Sequence, residues 1–179
     1  MVDANQGWSL AEAQSMAERL QGYGLGWLEE PLRADRPWSE WQALRAHTDI
    51  PLAGGENLAG DAAFDAAIAA QVWTVMQPDA AKWGGISGCW PVIERSRAAG
   101  LRYCPHYLGG GVGLMASAHL LAAAGGDGML EVDANDNPLR SALAPALRNI
   151  TEGCVTLGDA AGIGVLPDPA AIAEAIARV

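Results

Sequence analysis

Positive charge is scarce in this chain. Its 179 residues include 11 lysines and arginines against 21 aspartates and glutamates, which gives a formal net charge of −10. Lys82 is the single lysine. Because no basic cluster is present, nucleic-acid binding through phosphate neutralisation is excluded. A mechanism that needs two lysines is also excluded for this chain, and an anionic substrate would need a local cation.

A long apolar run, a leader-like start and a cysteine framework are not expected from the residues of this chain. No stretch approaches the roughly 18 uncharged apolar residues of a membrane span, and the start MVDANQGW is neither basic nor apolar. Cys89, Cys104 and Cys154 are widely spaced and odd in number, which favours reduced, buried thiols over disulfides or a zinc site. We therefore expect a cytoplasmic globular protein with no membrane partner, since 50% of the residues are apolar.

Short apolar runs alternate with alanine-rich helical stretches, a pattern typical of βαβ units with a parallel sheet. The candidate strands are residues 1–2, 25–28, 50–53, 73–76, 101–104 and 128–130. The first helix is expected after Ser9, because Glu12 follows at the spacing of a capping box. Pro37 suits the first turn of the second helix, and residues 61–70, 87–99 and 112–124 are predicted to form the next three.

This order predicts an α/β fold, an incomplete (β/α)8 TIM-type barrel. A complete barrel has eight strands and typically about 250 residues, whereas about six βα units are visible here. We expect the first two strands to be absent, because the chain opens with Met-Val directly before an acidic motif. Residues 1–137 are predicted to form the partial barrel. Residues 138–179, with a short helix from Pro169, are predicted to form a C-terminal appendage.

Each candidate strand ends in a polar, mostly acidic side chain. These residues are Asp3, Glu29, Glu56, Asp79, His106 and Glu131, and they follow one another at intervals of 23 to 27 residues. That interval is the length of one βα unit, so the side chains should converge on the C-terminal mouth of a barrel. Taken singly, an acid at a strand end is more often solvated or a helix cap. The shared spacing is what favours a functional site.

Three of these carboxylates, on successive strands, suit a hard cation. Asp3, Glu29 and Glu56 form an oxygen ligand set of the kind that Mg²⁺ prefers. Like charges held close together raise one another's pKa, and a divalent ion removes that cost. Glu30 adjoins Glu29, but alternation along an extended segment aims neighbours at opposite faces, so only one of the two can face the metal.

His106 and Asp79 end adjacent candidate strands. The carboxylate can hold the imidazole in one tautomer and raise its basicity, which makes His106 a candidate general base, although a lone histidine is as often a packed loop residue. Abstraction of a proton α to a carboxylate needs a cation against the developing charge. Glu131 is a candidate protonated hydrogen-bond donor. Three roles remain possible for the Lys82 side chain: an ion pair with Asp79, an ion pair with a ligand carboxylate, or a position near the site without a part in the reaction.

With these residues in view, the chain resembles the mandelate racemase and muconate lactonizing enzyme family of the enolase superfamily over essentially its whole length. The segments that carry the resemblance are VDANQ, WLEEP, GEN, PDAAKWGG, PHYLGGGVGLM and LEVDAN. The resemblance implies metal ligands at Asp3, Glu29 and Glu56, a His–Asp dyad of His106 and Asp79, and a hydrogen-bonding acid at Glu131. It also implies that the chain is the C-terminal barrel portion, without the capping domain that begins family members.

The resemblance narrows the subgroup and the chemistry. Muconate-lactonizing members have a lysine where Asp79 stands, so this chain sides with the mandelate-racemase type. That implies Mg²⁺-dependent abstraction of a proton α to a carboxylate through a metal-stabilised enediolate. Dehydration of an acid sugar by a homo-oligomer is the expected activity, and residues 138–179 are expected to pack on the barrel or capping region. Two alternatives stay open: a racemase or epimerase of a 2-hydroxy acid, and a catalytically incompetent fragment that only self-associates.

Overall fold

Five short parallel strands form the centre of the molecule. A computed structural model of the chain describes residues 1–166 and 168–177. The strands are β1 (Val2–Asp3), β2 (Leu28–Glu29), β3 (Leu52–Gly54), β4 (Val75–Met76) and β5 (Arg102–Tyr103). They pair in chain order, each parallel to the next. Parallel neighbours need crossover connections, and each connection here contains a helix, so the sheet with its strands in chain order has the arrangement of part of a βα barrel wall.

The helices follow the predicted order. They are α1 (Leu10–Leu20), α2 (Trp38–His47), α3 (Asp61–Ala70), α4 (Gly85–Ala98), α5 (Gly111–Ala124), α6 (Pro138–Leu143) and α7 (Pro169–Ile176), with 3-10 turns at Gln21–Tyr23 and Pro145–Arg148. The capping box is confirmed, since the Ser9 hydroxyl accepts from the Glu12 backbone N–H at 3.3 Å and Glu12 accepts from the Ser9 backbone N–H at 2.8 Å. Two orphan N–H groups are thereby satisfied at the start of α1.

The predicted sixth strand is wrong: in the part of the chain that the structure describes, residues 128–130 form no strand. The segment does run beside β5, because a Cβ on Gly128 would overlap the carbonyl oxygen of Tyr103. Its polar groups, however, meet side chains. The backbone N–H of Met129 donates to Sγ of Cys104 at 3.4 Å, and Nε of Arg102 donates to the carbonyl of Asp127 at 2.9 Å. Side-chain partners thus replace the backbone ladder that an additional strand would need.

The two faces of the sheet have different surroundings. The larger core lies between the sheet and the helices, and its fully buried members include Trp41, Phe64, Leu28, Leu52 and Met76. A smaller buried cluster, Trp27, Ala53, Val75 and Cys104, occupies the other face. Successive side chains of a strand point to opposite faces, so this second cluster marks the inner face of the barrel wall.

The C-terminal part packs on the last barrel helix. Helix α6 contacts both α5 and α7. Gly111 permits the close approach of α6 to α5, because a Cβ there would overlap the backbone of Leu143.

The boundary between residues 1–137 and 138–179 stays a prediction. All three cysteines are free thiols, but Cys154 is exposed, contrary to the expectation that all three are buried. No helix among the described residues is long and apolar enough to cross a membrane.

Candidate active site

A buried imidazole and a buried carboxylate face each other where β4 and β5 end. His106 and Asp79 are each 4% exposed. Nδ1 of His106 lies 2.7 Å from Oδ2 of Asp79. The other oxygen of Asp79 accepts from the backbone N–H groups of Ala81 and Lys82, at 2.7 and 3.2 Å. The turn after β4 therefore fixes the carboxylate, and the carboxylate fixes the imidazole.

A second carboxylate contacts the other nitrogen of the ring. Nε2 of His106 lies 2.6 Å from Oε2 of Glu56, whose other oxygen accepts from Nζ of Lys82 at 3.0 Å. Burial lowers the pKa of His106, but the hydrogen bonds to Asp79 and Glu56 outweigh it and raise the pKa to about 10. Burial raises the pKa of Glu56, but its bonds to His106 and Lys82 bring it down to about 2. The two groups therefore form an ion pair at neutral pH.

Glu131 approaches the same nitrogen from another side. One of its oxygens lies 3.9 Å from Nε2 of His106 and accepts from the backbone N–H of Tyr107 at 2.7 Å. Burial raises the pKa of Glu131, against the opposing effects of the Tyr107 N–H and the His106 charge. A carboxyl group with a raised pKa is better placed to carry a proton and to donate it in a hydrogen bond.

Asp3 and Glu29 lie side by side on the first two strands, where they are register partners. Glu29 is 3% exposed, and its Oε2 accepts from Nε1 of Trp27 at 2.7 Å. Asp3 is exposed and accepts from the backbone N–H of Asn5 at 2.7 Å. Trp27 and Glu29 are two residues apart, on either side of Leu28 in the extended segment of β2, so alternation in the sequence was the signal that could have identified this indole partner.

The side chain of Glu30 makes different contacts from that of Glu29, as strand alternation requires. It is 2% exposed, adopts a positive φ of 36°, and accepts from Nδ2 of Asn57 at 2.7 Å. The same Asn57 nitrogen lies 3.0 Å from Oε1 of Glu56. Burial, followed by the charge of Glu56, raises the pKa of Glu30 to about 7. The sequence did not identify this buried carboxyl as a support of Glu56, because the link joins the segment after β2 to the segment after β3.

The structure does not gather the predicted metal ligands into one ligand group. Among the described residues, no three His, Cys, Asp or Glu side chains are placed to hold a metal ion. Glu56 is instead engaged by His106 and Lys82, which settles the open position of Lys82 as an ion pair with a predicted ligand carboxylate. The structure brings together four of the six predicted site residues: Asp79, His106, Glu56 and Glu131. The other two, Asp3 and Glu29, lie beside each other on β1 and β2.

The residues present nevertheless suit Mg²⁺. Glu29 is buried, and no Lys, Arg or His side chain in the described ranges forms an ion pair with it. A buried carboxylate without a counter-charge is costly. The negative charges of Glu29 and Glu56 also act on their neighbours, since both raise the pKa of Glu131. An all-oxygen donor set in a negative environment fits a small divalent cation.

A cavity of about 180 Å³ opens on the inner face of the sheet. The residues that line it include Met1, Trp27, Glu29, Gln77, Pro105 and Glu131. Gln77 is 4% exposed, and its Oε1 has no hydrogen-bond partner. Sequence reasoning missed Gln77, although it stands two residues before Asp79 and so shares its face by alternation.

Comparison with known proteins finds relatives that match most of the chain. A family model described as Enolase C-terminal domain-like matches residues 1–171. The D-galactarolactone cycloisomerase of Agrobacterium fabrum is 31% identical over 173 residues, which cover 92% of this chain and 46% of the relative. The chain thus spans about half the length of the curated relatives it matches.

Two solved structures share the fold at comparable coverage. A mandelate racemase/muconate lactonizing enzyme from Bordetella bronchiseptica RB50 is 63% identical, with a TM-score of 0.94 over 97% of this chain and 48% of that one. An L-talarate dehydratase from Polaromonas sp. JS666, complexed with Mg and L-glucarate, is 28% identical, with a TM-score of 0.80 over 97% of this chain and 46% of that one. The five-stranded sheet therefore corresponds to part of a larger barrel.

Proposed function

The chain belongs to the Enolase C-terminal domain-like family, and we propose that it carries the metal-binding and proton-transferring residues of an acid-sugar dehydratase. The observation that carries the proposal is the imidazole of His106, buried between two carboxylates at 2.7 and 2.6 Å. Such an arrangement fixes both ring nitrogens at the mouth of the barrel wall, where catalytic side chains of this architecture lie.

In the proposed site, Asp3, Glu29 and Glu56 would hold Mg²⁺, for which the Glu56 carboxylate would have to leave its contacts with His106 and Lys82. The ion would supply positive charge that stabilises the negative charge developing on the substrate carboxylate. This reading is supported by the buried, charge-unpaired state of Glu29.

His106 is the proposed proton carrier. Once it is separated from Glu56, whose charge and hydrogen bond raise its pKa, the imidazole can lose its Nε2 proton; the neutral Nε2 then takes the proton α to the substrate carboxylate and delivers it to the departing β-hydroxyl, which leaves as water. Asp79 keeps Nδ1 protonated and the ring oriented, because it accepts at 2.7 Å. Glu131, whose pKa is raised by burial, donates a hydrogen bond to the substrate carboxylate. Overall, the acid loses one water molecule, made of the α-proton and the β-hydroxyl group.

The comparisons support this chemistry at family level. The similar Polaromonas protein is described as an L-talarate dehydratase with Mg and L-glucarate, and the Agrobacterium relative as a D-galactarolactone cycloisomerase. Within this chain, Lys82 is the single lysine and is engaged by Glu56, so the chain's own residues offer no second lysine base for a two-base racemase. A small-molecule sugar acid as substrate, a homo-oligomeric state and a cytoplasmic location belong to the same proposal.

The test joins metal binding to turnover. The chain is titrated with Mg²⁺ by calorimetry, and Asp3→Asn, Glu29→Gln and Glu56→Gln are each expected to weaken binding at least tenfold. A panel of five- and six-carbon sugar acids is then screened for 2-keto-3-deoxy products. His106→Asn should abolish turnover, whereas His47→Asn, at a surface contact with Glu18, should not.

Three outcomes would contradict the proposal. Unchanged Mg²⁺ affinity in all three carboxylate variants would remove the metal site. Deuterium exchange at the α-carbon without dehydration would indicate a racemase or epimerase. An oligomer by size-exclusion mass that binds neither Mg²⁺ nor any acid would indicate a fragment that only self-associates.

A further inference from the structure

Trp27 is a buried tryptophan whose indole N–H is used on a carboxylate. It is 4% exposed, and its Nε1 donates to Oε2 of Glu29 at 2.7 Å. Hydrogen bonds of this length to a carboxylate are among the stronger ones in proteins. In the part of the chain that the structure describes, it is the only hydrogen bond that the Glu29 carboxylate accepts. The direction of this carboxylate therefore depends on Trp27.

Two other buried tryptophans show that burial alone does not pair an indole. Trp41 is fully buried and Trp73 is 3% exposed, and the indole N–H of each has no hydrogen-bond partner in the described ranges. Both lie in the core between the sheet and the helices, where their rings meet edge to face at 5.3 Å. Trp27 lies on the inner face instead. There its N–H is directed at a proposed metal ligand.

The Trp27 ring is held in place from two directions. It packs on the inner face with three other buried residues: Ala53, Val75 and Cys104. The guanidinium carbon of Arg102 lies over the ring, 6.0 Å from its centroid, which is the distance of a cation–π contact. Nε of Arg102 is in turn 3.2 Å from a carboxylate oxygen of Asp127. A ring that is fixed in this way presents its N–H in one direction.

We propose that Trp27 is a positioning residue, whose indole N–H orients the Glu29 carboxylate for a divalent cation. The inference rests on the proposed function, in which Glu29 is a ligand of Mg²⁺. Carboxylates that bind metals are themselves hydrogen-bonded, and loss of such a partner weakens metal affinity by about 10- to 100-fold. Trp27 acts through Glu29 and is not itself a ligand, because an indole nitrogen is a hydrogen-bond donor only.

The first test compares metal affinity with stability. Trp27→Phe keeps an aromatic ring but has no N–H, and Trp41→Phe makes the same change at a buried ring without a hydrogen-bond partner. Both variants should be less stable in urea, because each loses part of a buried ring. In calorimetric titrations with Mg²⁺, only Trp27→Phe should bind more weakly, by roughly tenfold or more.

A second measurement uses the unmodified chain and so does not depend on the folding of a variant. In a ¹⁵N-labelled chain, the indole proton of Trp27 should resonate downfield of those of Trp41 and Trp73, because it is bonded to a carboxylate. Saturating Mg²⁺ should move the Trp27 resonance, since the ion withdraws negative charge from its acceptor. The resonances of Trp41 and Trp73 should stay in place.

The outcomes separate this inference from the proposed function. Unchanged Mg²⁺ affinity in Trp27→Phe, or a Trp27 resonance that Mg²⁺ does not move, overturns the inference while the proposed function stands. An equal loss of affinity in Trp41→Phe also overturns it, because the cause is then a general loss of packing. If the unmodified chain binds no Mg²⁺, or if Glu29→Gln binds it equally well, the proposed metal site fails and the inference fails with it. Weaker binding confined to Trp27→Phe, with a Trp27 resonance that responds to Mg²⁺, supports the inference.

Discussion

The hydrogen bond between Asp79 and His106 should stabilise the folded chain measurably. Both side chains are almost fully buried and 2.7 Å apart, and Glu56 on the other side of the ring keeps the imidazole charged. We expect Asp79→Asn to remove the negative partner while preserving volume. His106→Asn removes the cation and leaves two carboxylates with no charge between them. A double-mutant cycle over these two positions isolates their coupling.

The expected size follows from the burial of the pair. Hydrogen bonds that involve a charged group contribute about 1.5–3 kcal/mol. Breaking a buried pair by removing one partner costs about 3–5 kcal/mol. Glu56 still contacts the imidazole after Asp79→Asn, so we expect that variant to lose about 2 kcal/mol and His106→Asn to lose more. The coupling energy should then be about 2 kcal/mol.

Urea unfolding at pH 7 measures these losses, and the seven tryptophans provide a fluorescence signal. With a slope of about 2 kcal/mol per molar urea, Asp79→Asn should move the midpoint by about 1 M. Glu40→Gln is the contrasting control, since its ion pair with Arg36 lies at the surface and should contribute much less to stability than the buried pair. A coupling below about 0.5 kcal/mol would refute the inference that Asp79 holds the imidazole.

Three further perturbations probe the fold around the site. Ser9→Ala removes half of a capping box and should lower the free energy of unfolding by about 1 kcal/mol in the same urea assay; no change would mean that the box does not stabilise α1. Gly54→Ala would place a Cβ 2.6 Å from the ring of Trp73, so it should destabilise the chain by about 1–3 kcal/mol, and a neutral result would show that the indole moves freely. With a disulfide reagent at pH 8, Cys154 should react first because its thiol is exposed. Burial raises the pKa of Cys89 to about 11, so its thiol should react more slowly. Equal rates for all thiols, or a fast phase that remains in Cys154→Ser, would contradict this order of reaction.

Much of the architecture is predictable from residue order alone. The spacing of apolar runs and helical stretches predicted five of the strands near their observed positions, and residues 61–70 are a helix as expected. The Ser9 capping box was readable for the same reason, because its partners lie three residues apart. Such features depend on local periodicity and short-range hydrogen bonds, which the sequence states directly.

Part of the candidate site was predictable too, for a different reason. Parallel strands of one sheet end on the same edge, so residues one βα unit apart become neighbours. Asp79 and His106 are 27 residues apart in sequence and 2.7 Å apart in space. The shared spacing of acids and histidine therefore indicated which side chains meet, without indicating which atoms bond.

Tertiary structure alone decided the remaining contacts. Lys82 could have paired with several acids, and the packing of the turn after β4 directs it to Glu56. Residues 128–130 have a strand-like sequence, but the side chain of Cys104 takes the N–H that a ladder would use. Gln77 is one polar residue among many in the sequence, and only its burial after β4 leaves its Oε1 without a partner in the described part of the chain. Each outcome depends on burial and on long-range pairing of atoms, and neither is encoded in the spacing of residues along the chain.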